Sequence, residues 1–142
     1  MKNMASKMRV LVDINIILDV LQKREPFYDA SAGLLAHIET GRIEGFIAAH
    51  SVTTLFYLIS KDQSPAAARV ILTSLMQFLK IAPVDHAVIE AALNLPYKDF
   101  EDAVQMVSAM QCKANFLVTR NQKDYQPAPV TVIQPVELLA TL

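Results

Sequence analysis

Apolar and polar residues along this chain fall into blocks whose spacing switches repeatedly between strand-like and helical. Val10-Leu11-Val12 is an unbroken apolar run of the kind that suits a strand buried on both faces. Directly after it, Ile14, Ile17, Leu18 and Leu21 recur at helical spacing, and Asp13 stands at the turn between the two. In an open α/β sheet such a turn lies at the carboxyl end of a strand, where ligands bind. Aspartate is also a good helix N-cap. Asp13 therefore carries two readings, cap and site residue.

The same alternation continues down the chain. Arg24-Glu25-Pro26 ends the first helix, and Asp29 or Ser31 is expected to cap a second, which carries Leu34, Leu35 and Ile38 on one face and stops at Gly41. Glu44 to Ala49 predicts a short buried strand. His50 or Ser51 then opens a third helix with Val52, Leu55, Phe56 and Ile59 inward. Pro65 fits the first position of a fourth helix, which runs to about Leu79 and presents Val70, Ile71, Leu75, Phe78 and Leu79. Lys80-Ile81-Ala82 predicts a strand, and Asp85 caps a fifth helix through Leu95. Asp99 opens a sixth, with Val104, Val107 and Met110 inward. Asn115 to Thr119 is another buried strand, Val130 to Ile133 the last, and Pro135 starts a terminal helix. Strands alternating with helices imply a parallel sheet covered on both faces.

Composition narrows the class. A chain of 142 residues is sized for one domain that buries roughly 68% of its unfolded surface. A hydrophobic content of 53% and mean hydropathy of +0.30 fit a well-filled core or an apolar dimer face. No apolar run reaches the ~20 residues of a membrane span, so no membrane association is expected. The start of the chain makes a poor signal peptide, because Asp13, Asn15 and Asp19 interrupt the apolar run. With Cys112 alone there is neither an intrachain disulfide nor a zinc cluster, which fits a reducing, cytoplasmic setting. A net charge of −1 gives no long-range field for nucleic acid. Composition thus argues against a general nucleic-acid binder, but not against a nuclease that uses a metal ion.

Three segments hold the candidate chemistry. Asp99-Phe100-Glu101-Asp102 is the densest acidic cluster, and its bland reading is a capping box or acids favouring a helix N-terminus. Thr119-Arg120-Asn121-Gln122-Lys123-Asp124 follows a strand and by itself reads as a polar loop. In a parallel sheet, however, all post-strand turns share one edge. Asp13, Asn15, Thr119, Asn121 and Asp124 would converge there, and a helix dipping its first turn toward that edge would add Asp99 and Asp102. Two carboxylates roughly 4 Å apart repel by about 4 kcal/mol at an effective dielectric of about 20, so such a cluster holds a cation or a proton. Oxygen ligands without His or Cys favour Mg²⁺ or Mn²⁺. His50 lies near this edge but reads first as a helix-start residue. His37 and His86 read as surface or partly buried, and Cys112 as a small buried hydrophobe. Arg9, Lys98, Arg120 and Lys123 have the chemistry to contact phosphate, or are solvated surface charge.

Val10 to Asp19, Asp99 to Gln105 and Leu117 to Tyr125 together resemble the three signature blocks of the PIN domain family, in the family's order; the likeness runs from about Arg9 to Glu137. The resemblance implies a three-layer α/β/α fold with a five-stranded parallel sheet, order 3-2-1-4-5, formed by residues 8–142, with residues 1–7 a disordered or tag-like N-terminus. It implies a Mg²⁺- or Mn²⁺-dependent endoribonuclease, and, as in many small bacterial members, a VapC-type toxin that is dimeric and paired with an antitoxin. Carried over by position, Asp13 matches the family's first acid and Asp102 its third. Asn121 stands where many members have a fourth, and Asp124 is the acid of a common variant. Asp99 and Glu101 resemble the extra acids of one subgroup, while Asn15 and Thr119 match polar residues that orient the acids or the attacking water. The expected metal ligands are thus Asp13, Asp99 and Asp102. Thr119, Asn121 and Asp124 complete the catalytic set, and Asn15, Thr54, Glu101 and Arg120 support them or meet the substrate.

One position departs from the pattern. The family's second acid sits early in the helix after the second strand, where this chain has Thr54, a much poorer ligand for Mg²⁺. Compensation by Asp99, or a weaker ion site, follows from that. The departure also raises an alternative: a PIN domain that binds RNA or a protein partner without cutting. A phosphatase of the haloacid-dehalogenase type, which Asp13-Ile14-Asn15 resembles, fails because Asn15 replaces its general acid.

Overall fold

The computed structural model describes residues 7–142, so the expectation for the N-terminal residues lies, for 1–6, outside the described residues. Five parallel strands, β1 (Met8–Val12), β2 (Ile43–Ala48), β3 (Leu79–Ala82), β4 (Phe116–Val118) and β5 (Thr131–Ile133), form one sheet in the order β3-β2-β1-β4-β5. This is the expected topology. β1 is central because its residues are apolar on both faces, and Val10, Leu11 and Val12 are fully buried.

The period of two along β1 divides the core. Val10 and Val12 point to one face, where they meet Ile16 and Ile17 of α1 (Ile14–Leu21), Leu34 and Ile38 of α2 (Tyr28–Glu39), Leu55 and Ile59 of α3 (Ala49–Asp62), Leu75 of α4 (Pro65–Leu75) and Leu138 of α7 (Pro135–Ala140). Leu11 points to the other face, with Phe46, Leu117, Tyr125 and Met106 of α6 (Phe100–Gln111). There α5 (His86–Leu93) packs Val88 and Ala92 against Ala103, Val104 and Val107 of α6. The result is three layers, α/β/α. At β2 the fit to α2 is close: a Cβ on Gly45 would lie 2.6 Å from the Ile38 side chain.

Several local expectations shift. α2 starts at Tyr28 without a side-chain cap, so neither Asp29 nor Ser31 caps it; Ser31 is buried and donates to Asp19 instead, at 3.4 Å. α3 follows β2 with no intervening turn, and Ala48 is its N-cap, which puts His50 and Ser51 inside the first turn. α4 ends at Leu75 rather than near Leu79, because Leu79 pairs into β3 opposite Gly45. Met110 (46% exposed) faces outward, against the expectation, and Val70 (67% exposed) lies on the uncovered side of the α4 apolar face.

Backbone hydrogen bonds extend the ladder past the strand ends. The Asp13 N–H donates to Val118 O at 3.0 Å, and the Thr119 N–H donates to Ile133 O at 3.0 Å. Asp13 and Thr119 are thereby aligned side by side at the carboxyl edge of the sheet.

Candidate active site

At that edge Asp13 is the N-cap of α1 and also lines a cavity. As N-cap of α1 it accepts the Asn15 N–H on Oδ1 at 3.2 Å. Its Oδ2 accepts the Thr119 hydroxyl at 2.8 Å. The Thr119 oxygen in turn accepts the Asn121 N–H at 3.1 Å, which leaves its single proton directed at Asp13. Thr119 is fully buried and Asp13 nearly so. Burial pushes the Asp13 carboxyl above its usual range, against the hydrogen bonds from Thr119 and Asn15 and the more distant charge of Arg120.

The second acid group comes from the start of α6. Asp99 caps the helix, and its Oδ1 accepts the N–H groups of Glu101 at 2.8 Å and Asp102 at 3.3 Å. Asp102 does not complete a capping box. Its Oδ1 accepts the hydroxyl of Tyr125 at 3.1 Å, and the Tyr125 oxygen accepts Gln105 Nε2 at 2.7 Å. Burial, then the neighbouring Asp99, raise the Asp102 carboxyl to about 6; the Tyr125 hydrogen bond opposes this, while Asp13 and Asp124 add to it. Burial likewise holds Tyr125 protonated, far above the ordinary range of a phenol.

These residues line one cavity of about 260 Å³, whose walls also include Asn15, Thr54, Asp99, Glu101, Asn121 and Asp124. Thr119 lies behind Asp13 rather than on the wall. His50 reaches the cavity from the first turn of α3, with Nδ1 buried and lacking a hydrogen-bond partner; burial lowers its pKa. Sequence reasoning missed Gln105 and Tyr125 as site residues. The signal was available in principle, since a tyrosine among core residues must find a partner for its hydroxyl.

Arg120 is not on the cavity wall. Its Nε and a terminal nitrogen bind the two carboxylate oxygens of Asp19 at 2.8 and 3.0 Å, and its guanidinium stacks 3.9 Å from the centroid of Phe27. Asp19 is fully buried. The guanidinium is therefore committed to a pair behind the site. Arg9 is at the opposite end of the sheet, bound to Glu44 and the Cys112 carbonyl. Lys98 and Lys123 are exposed and flank a neighbouring groove that Asp99, Asp102 and Asp124 share.

The donor set is carboxylate and amide oxygen, with His50 the one cavity-lining imidazole. Among the described residues no three His, Cys, Asp or Glu side chains are gathered closely enough to form a ready-made cage, so Asp13, Asp99 and Asp102 are not assembled as three direct ligands. Two crowded acids with room for water fit a hard divalent ion, which keeps several of its waters. Among the described residues no helix is long and apolar enough to cross a membrane.

Comparison with known proteins agrees with this geometry. The PIN domain profile matches residues 9–123. A toxin–antitoxin complex from Klebsiella pneumoniae superposes with a TM-score of 0.69 at 22% identity, covering 89% of this chain and 97% of the other. VapBC2 from Rickettsia felis, bound to a DNA fragment from its promoter, gives 0.66 at 18% identity, covering 89% and 98%. VapC20 of Mycobacterium tuberculosis, described as a sarcin–ricin loop cleaving toxin, gives 0.60 at 11% identity, covering 76% and 86%. No curated protein matches the sequence. With the signature acids meeting in one cavity, the sheet in the expected order, and the profile spanning most of its length, this chain belongs to the PIN domain family.

Proposed function

We propose that the protein is a Mg²⁺- or Mn²⁺-dependent endoribonuclease and the toxin of a toxin–antitoxin pair. The observation that carries this reading is a cavity in which Asp13 and Asp102 are both held above their ordinary pKa by burial, with no cation of the protein bonded to either. Asp13 and Asp102 would hold the ion, with Asp99 and Asp124 assisting directly or through water. A bound divalent ion supplies neutralisation of the phosphodiester's oxyanions and a lowered pKa for water. Thr119 fixes the rotamer of Asp13. Asn121, whose backbone N–H is bonded to Thr119, lines the cavity, where its side chain would orient the attacking water. Asn15 and Glu101 line the same cavity and would border the substrate path, and Thr54 stands where an acid ligand would be, so fewer carboxylates would meet the ion directly.

The structural likeness to toxin–antitoxin complexes supports an antitoxin as partner. Tyr57 on α3 and Val70 on α4, both exposed, supply apolar surface for a homodimer. A cytoplasmic setting and an RNA substrate belong to the same reading. The test is RNA cleavage with Mg²⁺ or Mn²⁺ by the wild type, Asp13→Asn and Asp102→Asn. Cleavage by the wild type alone supports the assignment, and equal activity in all three overturns it.

Thr54 favours a second reading, a PIN domain that binds RNA or a protein partner without cutting. Retained RNA or antitoxin binding with no divalent-ion binding in calorimetry selects it.

A further inference from the structure

Asp102 sits in the first turn of α6 and is partly exposed. Tyr125 is enclosed. Its ring is 1% exposed, packed on the Leu11 face of the sheet, and set edge-on to Tyr97 with centroids 6.1 Å apart at 81°. A phenylalanine would fill this space equally well, so the packing does not explain the hydroxyl. That hydroxyl has one proton and accepts from Gln105 Nε2, so its proton is directed at Asp102 Oδ1. Gln105 is itself buried, one turn along from Asp102 on α6. The arrangement runs from an amide through a buried phenol to one oxygen of a partly exposed carboxylate.

We propose that Tyr125 and Gln105 are positioning residues for the ion site: Gln105 orients the Tyr125 hydroxyl, which holds Asp102 by Oδ1 and leaves Oδ2 for a divalent cation. This rests on the reading of Asp13 and Asp102 as ion ligands and adds the device that holds the second of them in place. It parallels Thr119, whose hydroxyl, oriented by the Asn121 N–H, does the same for Asp13. Partners behind a metal ligand commonly change affinity about 10- to 100-fold when removed.

The test is calorimetric titration of the full chain with Mn²⁺ alone, accompanied by thermal unfolding without metal. Tyr125→Phe is expected to keep the fold and weaken Mn²⁺ binding about 10-fold or more. Gln105→Leu weakens it too, but adds nothing in the Tyr125→Phe background, because it acts through the same hydroxyl. Tyr97→Phe removes a hydroxyl bonded to the Pro127 carbonyl, not to Asp102, and leaves the affinity unchanged. Folded Tyr125→Phe protein with wild-type affinity overturns the proposal, as does an independent, additive effect of Gln105→Leu. If Tyr125→Phe does not fold, unchanged affinity in Gln105→Leu overturns it. Wild-type protein that binds no Mn²⁺ overturns the ion site, and this role with it.

Discussion

Two aspartates at opposite ends of α1 show how differently one fold treats the same side chain. Asp19 is fully buried and charge-matched: Arg120 grips both its oxygens, the Arg24 guanidinium lies 3.8 Å away and the Ser31 hydroxyl 3.4 Å away. Asp13 is nearly as buried, yet its hydrogen bonds come from neutral groups, the Thr119 hydroxyl and the Asn15 N–H. Burying an ionised carboxylate without a partner costs several kcal/mol. The fold meets that cost at Asp19 from within. At Asp13, and across the cavity at Asp102, it leaves the charge to something from outside. A matched acid reads as structure and an unmatched pair facing one cavity as a site.

Substitution should separate the two regions. The largest effect is on catalysis at the unmatched end. Asp13→Asn should lower RNA cleavage about 1,000-fold, since a catalytic ion supplies several kcal/mol of transition-state stabilisation, while the unfolding midpoint of the metal-free protein stays the same or rises. Chelation of the wild type by EDTA should match it in the same cleavage assay. At the matched end the loss is of stability. Asp19→Ala leaves Arg120 facing a buried, empty position and should cost about 3–5 kcal/mol in urea unfolding. A mild cost there would mean that Arg120 is free to turn toward the cavity after all.

Next in size is Thr119→Val, which removes the proton directed at Asp13 and should weaken Mn²⁺ binding by about 10-fold. The smallest effect is on pH dependence. The folded state raises Asp102 to about 6 from an ordinary 3.8, so the native protein binds the proton more tightly than the unfolded chain. By linkage, metal-free stability from this group is greatest at low pH and declines as pH rises between those two values. Asp102→Asn should remove that part of the slope and raise the midpoint at pH 7.5. Mn²⁺ affinity should fall in the wild type below pH 6, where the proton competes with the ion.

Much of this was legible in the chain. The run Val10-Leu11-Val12 ending on Asp13 marked a strand buried on both faces and the turn at its carboxyl end, because a doubly buried strand must be uniformly apolar. The order of the strands came with the family resemblance, not from periodicity, which carries no information about which strands pair. Asp19 was the clearest miss. In sequence it interrupts an apolar helix and reads as a polar break, but the core surrounds it, and its partner Arg120 lies about a hundred residues away. Tyr125 lies only 23 residues from Asp102, but it follows a polar loop, and only the packed fold brings its hydroxyl to that carboxylate. Met110 failed for the reverse reason, since apolar spacing marks a face without saying whether anything covers it.

The most direct measurement is anomalous diffraction from a crystal soaked in Mn²⁺. A strong peak in the cavity that Asp13 and Asp102 line is the predicted result. A soaked crystal with no peak in this cavity, or with Mn²⁺ held elsewhere, would contradict the account.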